Sequence, residues 1–388
     1  MPWQGVSPMD LRGQFVRAVA AGRLSMTELC DQYGISRKTG YKWVTRYEAE
    51  GRAGLPDRSR RPHHSPTATD PTLVEALCEM RRRHPTWSAR KLIGVLRREQ
   101  PRRRWPARST GCALLKAHGL VRAHRQRRDR GHAAASPLLP ANVPNDLWTT
   151  DFKGEFRMGN GQYCYPLTLR DAASRYVLRC AALETKAERT VRHQFERAFR
   201  IYGLPARLRS DNGQPFAGTG FTRLSRLSIW WIRLGIRPER IALGHPEQNG
   251  SHEQFHRVLK AETTRPPAFH LQAQQQRFRR FCTEYNQVRP HEALQDQPPA
   301  WRYVGSPRPF PARVPAIEYP GHLEVRRVAP SGQISWRGHL LHLTEVLAGH
   351  DVALDEIDEG IWIIYFVTVP VARFDARTRT LTALPHGM

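Results

Sequence analysis

Hydrophobic positions change their spacing along the chain, and each change predicts a different kind of structure. In residues 1–53 apolar residues recur at helical intervals, and glycines stand where the runs end. Residues 146–305 alternate short apolar runs of strand length with longer amphipathic runs, which predicts an α/β domain. Residues 306–388 alternate apolar and polar positions between turn sequences, which predicts about five antiparallel strands in a small β-barrel.

The first segment has the helix, glycine turn, helix pattern of a helix-turn-helix domain. A short helix ends before Gly34, and Ser36 caps a longer helix. Its basic residues lie on the side away from Tyr41, Val44 and Tyr47, as expected of a helix in the major groove of DNA. An ordinary three-helix domain with a solvated basic face is the alternative. The predicted DNA-binding residues are Arg37, Lys38, Lys42 and Arg46.

The remaining N-terminal sequence predicts a second helical region between two linkers. Residues 54–71 form a polar linker, residues 72–125 three helices that resemble a further helix-turn-helix, and residues 126–145 an extended basic linker. Arg102 to Arg104, beside Trp105, would contact a nucleic-acid backbone or form a solvated loop. The predicted domains are therefore 1–53, 72–125, 146–305 and 306–388.

The net charge of the chain indicates what kind of molecule it binds. Lys and Arg number 61 against 35 Asp and Glu, giving a net charge of +26. Residues 1–145 carry +17 and residues 146–305 carry +10, whereas residues 306–388 carry −1. Such an excess favours binding to a phosphate polymer through counterion release. Arginine supplies 54 of the 61 cations, which suits paired phosphate contacts but also fits a GC-rich genome.

Several classes of protein are not expected. The six cysteines show no C-x-x-C pair and no histidine at zinc-binding spacing, so we expect reduced thiols. The N-terminus lacks an apolar signal core, and the longest apolar run, residues 361–372, is too short to span a bilayer. The sequence predicts a cytoplasmic, nucleoid-associated protein with no membrane partner.

Three acids are candidates for catalysis. Asp151 ends the predicted strand LWTTDF, Asp211 ends the predicted strand PARLRSD, and Glu253 lies in the first turns of a predicted helix. Carboxylates that converge from separate elements suit Mg²⁺, and a pair of such ions supports displacement at phosphorus. Taken singly, the three acids are more typical of a strand cap, a turn and a helix start than of catalysis.

The helix that carries Glu253 also carries cations. His256, Arg257 and Lys260 follow Glu253 at i+3, i+4 and i+7, which predicts one shared face. A metal ligand and phosphate-binding groups would then line a single groove.

Three motifs make the set specific. They are S-D-N-G-x-x-F at residues 210–216, H-P-x-x-N-G-x-x-E-x-F-H-x-x-L-K at residues 245–260, and Y-N-x-x-R-P-H-x-A-L at residues 285–294. With the strand Asp151 they resemble the integrase-like DDE transposases of bacterial insertion sequences. These are relatives of retroviral integrases with an RNase H-like core. The resemblance implies a multidomain protein with an all-α helix-turn-helix region, an α/β core with a mixed sheet, and a small antiparallel β-barrel.

The resemblance also implies roles for particular residues. Asp151, Asp211 and Glu253 would be the catalytic metal-binding triad, with two Mg²⁺ ions and Mn²⁺ as a substitute. Lys260, Arg257 and His256 would contact the DNA end. Asn212 and Asn249 would support the site, and Asp171 is interpreted as structural.

The implied activity is that of a DNA transposase, a metal-dependent polynucleotidyl transferase and endonuclease. Such an enzyme binds transposon ends, cleaves the phosphodiester backbone with metal-activated water and joins the 3′-OH ends to target DNA. The implied partners are double-stranded DNA, as transposon ends and target, and further copies of the chain in a dimer or larger homo-oligomer.

Two kinds of alternative stay open. Between Asp211 and Glu253 lie 41 residues, more than is usual in the family, and the insertion around Trp230 and Trp231 would be a buried helix or a platform. Glu247 is the second choice for the third acid. The rival functions are an RNase H-like nuclease without strand transfer and a catalytically inactive, transposase-derived DNA-binding regulator.

Overall fold

A computed structural model describes residues 7–58, 68–121, 139–242, 245, 248 and 250–384. The chain divides into two compact units, Met1–Ala68 and Thr69–Met388. Among the described helices, none is long and apolar enough to cross a membrane.

The first unit is a three-helix domain of the predicted kind. Ser25 and Glu28 form the predicted capping box, and the Ser36 hydroxyl accepts a hydrogen bond from the Thr39 amide. Phe15, Leu29 and Trp43 form its core with smaller neighbours. The helices are α1 (Pro8–Ala20), α2 (Met26–Gln32) and α3 (Arg37–Glu50).

The buried side of α3 is formed by Gly40 and Trp43. Trp43 is 4% exposed, whereas Tyr41 is 51% and Tyr47 37% exposed. The reason is Gly40, because a Cβ there would lie 2.7 Å from the Cys30 Sγ, so α2 approaches α3 along the Gly40 and Trp43 side. The two tyrosines therefore lie on the outer surface of α3.

Three further helices open the second unit. They pack around Leu77, Trp87 and Leu92 in one core. Trp105 is buried in the same core, so it does not contact DNA with its ring, while the arginines at 102–104 are exposed. The helices are α4 (Pro71–Arg83), α5 (Ala89–Glu99) and α6 (Arg108–Ala117).

Arginines of α5 attach these helices to the α/β core. The Arg98 guanidinium donates to the Val288 carbonyl at 2.6 Å and to the Asp296 carbonyl at 2.8 Å. The Arg90 Nε donates to the Asp296 carboxylate at 2.9 Å. Part of the cationic excess therefore holds the protein together instead of facing a polyanion.

The central domain has a mixed six-stranded sheet. β3 pairs antiparallel with β1, β2 and β4, whereas β1, β5 and β6 are parallel. The order is β4-β3-β1-β5-β6, with β2 on the start of β3. The strands are β1 (Leu147–Phe152), β2 (Phe156–Arg157), β3 (Tyr163–Asp171), β4 (Val177–Leu183), β5 (Arg207–Ser210) and β6 (Arg237–Arg240).

Helices cover both faces of this sheet, as its buried strands require. One face packs against α7 and α8 through Phe195, Phe199 and Trp231, and the other against α9 and α10 through Phe255 and Phe278. Trp230 and Trp231 are 5% and 0% exposed, so the insertion is a buried helix. The helices are α7 (Glu188–Tyr202), α8 (Arg226–Arg233), α9 (Gly250–Thr263) and α10 (Leu271–Gln287).

The C-terminal domain is antiparallel, but the predicted closed barrel is not observed among the described residues. A five-stranded sheet runs β13-β12-β11-β10-β7, and β8 pairs with β9 in a separate hairpin. Side chains of the hairpin and of α8, among them Trp336 and Ile229, cover the apolar face of the sheet. This face is therefore buried without closure of the sheet into a barrel. The strands are β7 (Glu324–Arg327), β8 (Gln333–Trp336), β9 (His339–His342), β10 (Asp351–Asp358), β11 (Ile361–Phe366), β12 (Val369–Asp375) and β13 (Thr380–Thr382).

Candidate active site

Two of the three predicted acids lie on neighbouring parallel strands. In the β1–β5 register Thr149 faces Arg209, so continuing it by two residues brings Asp151 level with Asp211. Adjacent strands are about 4.8 Å apart. The Asp211 Oδ1 accepts a hydrogen bond from the Gly213 amide at 3.1 Å, which fixes the carboxylate at the start of the loop.

The negative charge of Asp211 acts on Asp151. Burial, followed by the negative charge of Asp211, raises the pKa of Asp151 to about 7, and Glu253 adds to the rise. Burial also raises the pKa of Asp211, while the Gly213 amide and Lys186 oppose that rise. A carboxyl whose pKa is raised by acids on other elements is expected at a site that carries excess negative charge.

The predicted shared face of α9 is wrong for His256. Glu253, Arg257 and Lys260 are exposed, but His256 is 7% exposed. The helix buries positions 252, 255, 256, 259 and 263, a stripe of i, i+3, i+4, i+7 and i+11 that the sequence already contains. Burial lowers the pKa of His256 to about 3, helped by Lys153 and Arg170, so it is neutral and supplies no charge to a phosphate.

His256 faces Asp151 instead. Its Nδ1 lies 3.6 Å from the Asp151 Oδ2, and its Nε2 lies 2.7 Å from the Thr168 hydroxyl. The sequence interpretation missed this inward role, although the buried stripe could have revealed it.

Cations that the motifs did not identify surround the acids. Burial, followed by the charge of Lys260 and later that of Arg265, lowers the pKa of Lys153, so both of these cations lie within electrostatic reach of Lys153. Lys186 is exposed, and its positive charge opposes the rise in the pKa of Asp211. Lys153 follows Asp151 by two residues, so its position in the sequence was a usable signal.

The structure describes some of the remaining predicted residues but not all of them. The Asn212 Nδ2 donates to the Ile241 carbonyl at 2.9 Å, joining the ends of β5 and β6, while its Oδ1 is buried with no hydrogen-bond partner among the described residues. Asn249 and Glu247 lie outside the described residues. In the first unit Arg37, Lys38 and Lys42 are exposed, and Arg46 lies with its guanidinium carbon 5.2 Å from the Trp43 ring centre.

Asp171 is confirmed as structural. Its Oδ2 accepts a hydrogen bond from the Asn145 amide and its Oδ1 one from the Ser174 amide, both at 2.7 Å. The side chain is fully buried, so its bonds hold the turn after β3.

The donor set at this site suits a hard divalent cation. Among the residues that the structure describes, no three His, Cys, Asp or Glu side chains stand close enough to enclose a metal ion. The chemistry nevertheless fits, because Asp151 and Asp211 present carboxylate oxygens at one sheet edge, and burial followed by the negative charge of Asp211 raises the pKa of Asp151 to about 7. Bringing in the third acid requires the exposed Glu253 side chain to turn towards them.

The raised pKa of Asp151 makes a prediction about stability in EDTA. The folded-state value of about 7 exceeds the ordinary 3.8, so the folded protein favours the neutral acid. That contribution is complete below about pH 4 and is lost as pH rises to about 7. Asparagine mimics the neutral acid, so Asp151→Asn should increase the free energy of unfolding at pH 8 by at most about 4 kcal/mol, and by less at pH 5. The Tm should rise accordingly. Differential scanning calorimetry tests this, with the exposed Glu184→Gln as the control; equal gains at both pH values would contradict it.

Family models match most of the chain. Two models described as integrase core domain match residues 141–246 and 234–299. A helix-turn-helix domain matches residues 11–63, and a homeodomain-like domain matches residues 39–115. The C-terminal domain of IS481 family transposases matches residues 323–382.

Individual proteins resemble the chain as well. The insertion element IS476 uncharacterized 39.2 kDa protein of Xanthomonas euvesicatoria is 28% identical over 249 residues, 64% of this chain and 69% of that protein. The HTLV-2 integrase catalytic core domain in complex with magnesium, in its trimeric form, aligns at 14% identity and a TM-score of 0.34 over 42% of this chain and 98% of that one. A chain of the simian T-cell lymphotropic virus intasome in complex with PP2A regulatory subunit B56 gamma aligns at 14% identity and a TM-score of 0.37, over 80% and 100%.

The domain matches define a DNA-binding protein in which helix-turn-helix domains precede an integrase core. With the IS481-type C-terminal domain and the IS476 relative, they place the chain among the integrase-like transposases of insertion sequences. This confirms the family that the sequence motifs indicated.

Proposed function

We propose that the protein binds the ends of its own insertion element, cleaves the DNA backbone there and joins the freed 3′-OH ends to target DNA. The observation that supports this most strongly is the register that brings Asp151 level with Asp211, together with the action of Glu253 on the pKa of Asp151. Three acids from a strand, a loop and a helix share one electrostatic site on an integrase core.

Asp151, Asp211 and Glu253 would hold Mg²⁺ ions, for which Mn²⁺ is a chemically similar substitute. A divalent cation there would supply Lewis-acid stabilisation of the charge that develops on the phosphate oxygens. The chain contributes the carboxylates, which the sheet edge holds in place at β1 and β5. It also excludes water from one side of the site, because Thr168 and His252 are fully buried behind Asp151.

The cations position the substrate. Lys260 and Arg257 project from the exposed side of α9, the side that carries Glu253. Lys153 adds charge within electrostatic reach of Lys260 and Arg265. Together they would hold the DNA backbone across the acids as point charges and paired guanidinium contacts. Asn212, and Asn249 by its place in the motif, would support the loop at the site.

The proposed joining reaction requires more than one copy of the chain. Two element ends must be held for joining to one target, so the proposal requires a homodimer or larger assembly on double-stranded DNA. The two ends would be recognised by the helix-turn-helix domains, with the exposed cations of α3 towards the major groove.

A gel assay separates this function from its rivals. The substrate is a labelled duplex of the DNA that flanks the gene at the proposed element end, incubated with supercoiled target plasmid and Mg²⁺. Strand-transfer products support the proposal. Cleavage without joining would favour a nuclease, and a mobility shift without cleavage would favour an inactive DNA-binding regulator.

A further inference from the structure

The hydroxyl of Thr168, on β3 behind the acids, contacts three groups. Its Oγ1 lies 2.9 Å from the Asp151 carbonyl oxygen, 2.6 Å from the His252 Nε2 and 2.7 Å from the His256 Nε2. Thr168 and His252 are fully buried. Water is therefore excluded as the partner of these atoms, and each must be satisfied within the protein.

One assignment of hydrogen-bond donors and acceptors satisfies these contacts. A threonine hydroxyl has one proton to donate and two lone pairs. Since the Asp151 carbonyl can only accept, the Thr168 proton goes to it, and both imidazoles donate their Nε2 protons to Thr168. The His252 Nδ1 then accepts from the Thr149 hydroxyl at 2.9 Å. Every hydrogen-bonding position of the Thr168 hydroxyl is used.

The three contacts join two parts of the site. One lies on β1 at Asp151, and the other two lie on α9 on either side of Glu253. The Arg170 guanidinium donates to the Ser251 carbonyl at 2.9 Å and adds a second tie to the start of this helix. The start of α9 is therefore attached to the sheet by directional hydrogen bonds as well as by apolar packing.

We propose that Thr168 is a positioning residue whose hydroxyl fixes the spacing between Asp151 and Glu253. The inference rests on the proposed function, because those two acids gain their purpose from it. Apolar side chains could fill this space and hold the helix, but they would allow it to rotate or slide. A fully satisfied polar network specifies one arrangement, and carboxylates that share a cation need one arrangement.

The test compares substitutions at two buried threonines in the full-length protein. Thr168→Val keeps the shape and removes the hydroxyl, whereas Thr168→Ser keeps the hydroxyl. Thr150→Val is the matched control, because Thr150 is equally buried and its hydroxyl donates to the Thr168 carbonyl without touching either histidine. The readout is the Mn²⁺ concentration that gives half of the maximal rise in Tm, which a purely structural role would not move.

We expect Thr168→Val to need about 10- to 100-fold more Mn²⁺ than the wild type. Thr168→Ser and Thr150→Val should stay within about threefold of the wild type, by the same reasoning. If the valine variant does not fold, Thr168→Cys replaces it, since a thiol is a far weaker donor and acceptor of similar size.

Two results would overturn the inference in different ways. A wild-type Mn²⁺ midpoint in folded Thr168→Val, or an equal loss in Thr168→Ser, would remove the positioning role and leave the proposed function intact. A wild-type protein whose Tm does not respond to Mn²⁺ would remove the proposed metal site and this inference with it.

Discussion

Asp151→Asn should lower DNA cleavage by about 10⁴-fold or more while leaving binding to the element ends nearly unchanged. Asparagine keeps the shape of Asp151 but removes the charge that a divalent cation needs, and under the proposed function other residues contact the element ends. Asp211→Asn and Glu253→Gln should behave alike. Cleavage of a labelled end in Mg²⁺, with a mobility shift measured in parallel, gives both quantities.

The matched control is Glu184→Gln, an exposed acid of the same domain at the end of β4. It changes the net charge equally and should cleave normally. If Glu253→Gln also cleaves normally, Glu253 is not the third acid, and Glu247 becomes the residue to substitute. Normal cleavage by Asp151→Asn or Asp211→Asn would remove the proposed site itself.

The second large effect is expected in the first unit. Replacing Arg37, Lys38 and Lys42 together with glutamine should weaken binding to the element ends about 100-fold at physiological salt and reduce the slope of log affinity against log salt by up to about 3. These side chains are exposed on α3. Glutamine is preferred to alanine because its stem still covers Trp43, against which the Lys42 Nζ lies 4.1 Å from the ring centre.

Arg17→Gln with Arg23→Gln provides the control, since both residues are exposed cations of the same unit but lie outside α3. Because the control removes two cations and the α3 variant three, the two are compared per charge removed, and the control should change the salt slope less per charge. Equal effects would mean that the unit attracts DNA by charge alone. No effect of the α3 variant would move end recognition to the helices of residues 72–125.

Which side chains α9 and α3 bury was not correctly predicted from the sequence, and in each helix there is a physical reason. His256 was grouped with Arg257 because a motif and a helical interval both include it, but a three-residue step also reaches the buried stripe that contains Phe255 and Leu259. The sequence places Tyr41 and Tyr47 on the side of α3 away from its basic residues but does not show which apolar side chain is buried, and the close approach at Gly40 selects Trp43. In both cases the missing information was which neighbour approaches the helix.

The sequence by itself determined the family, the order of helical, α/β and β segments, and the acids at the ends of β1 and β5, because periodicity, capping residues and motif spacing are local properties of the chain. Only the tertiary structure decided that α5 uses Arg90 and Arg98 to dock on the core, that Lys260 and Arg265 lie near Lys153, and that Thr168 joins Asp151 to α9. Those contacts connect residues that are far apart in the chain, and burial and close charges, which set their energies, exist only after folding.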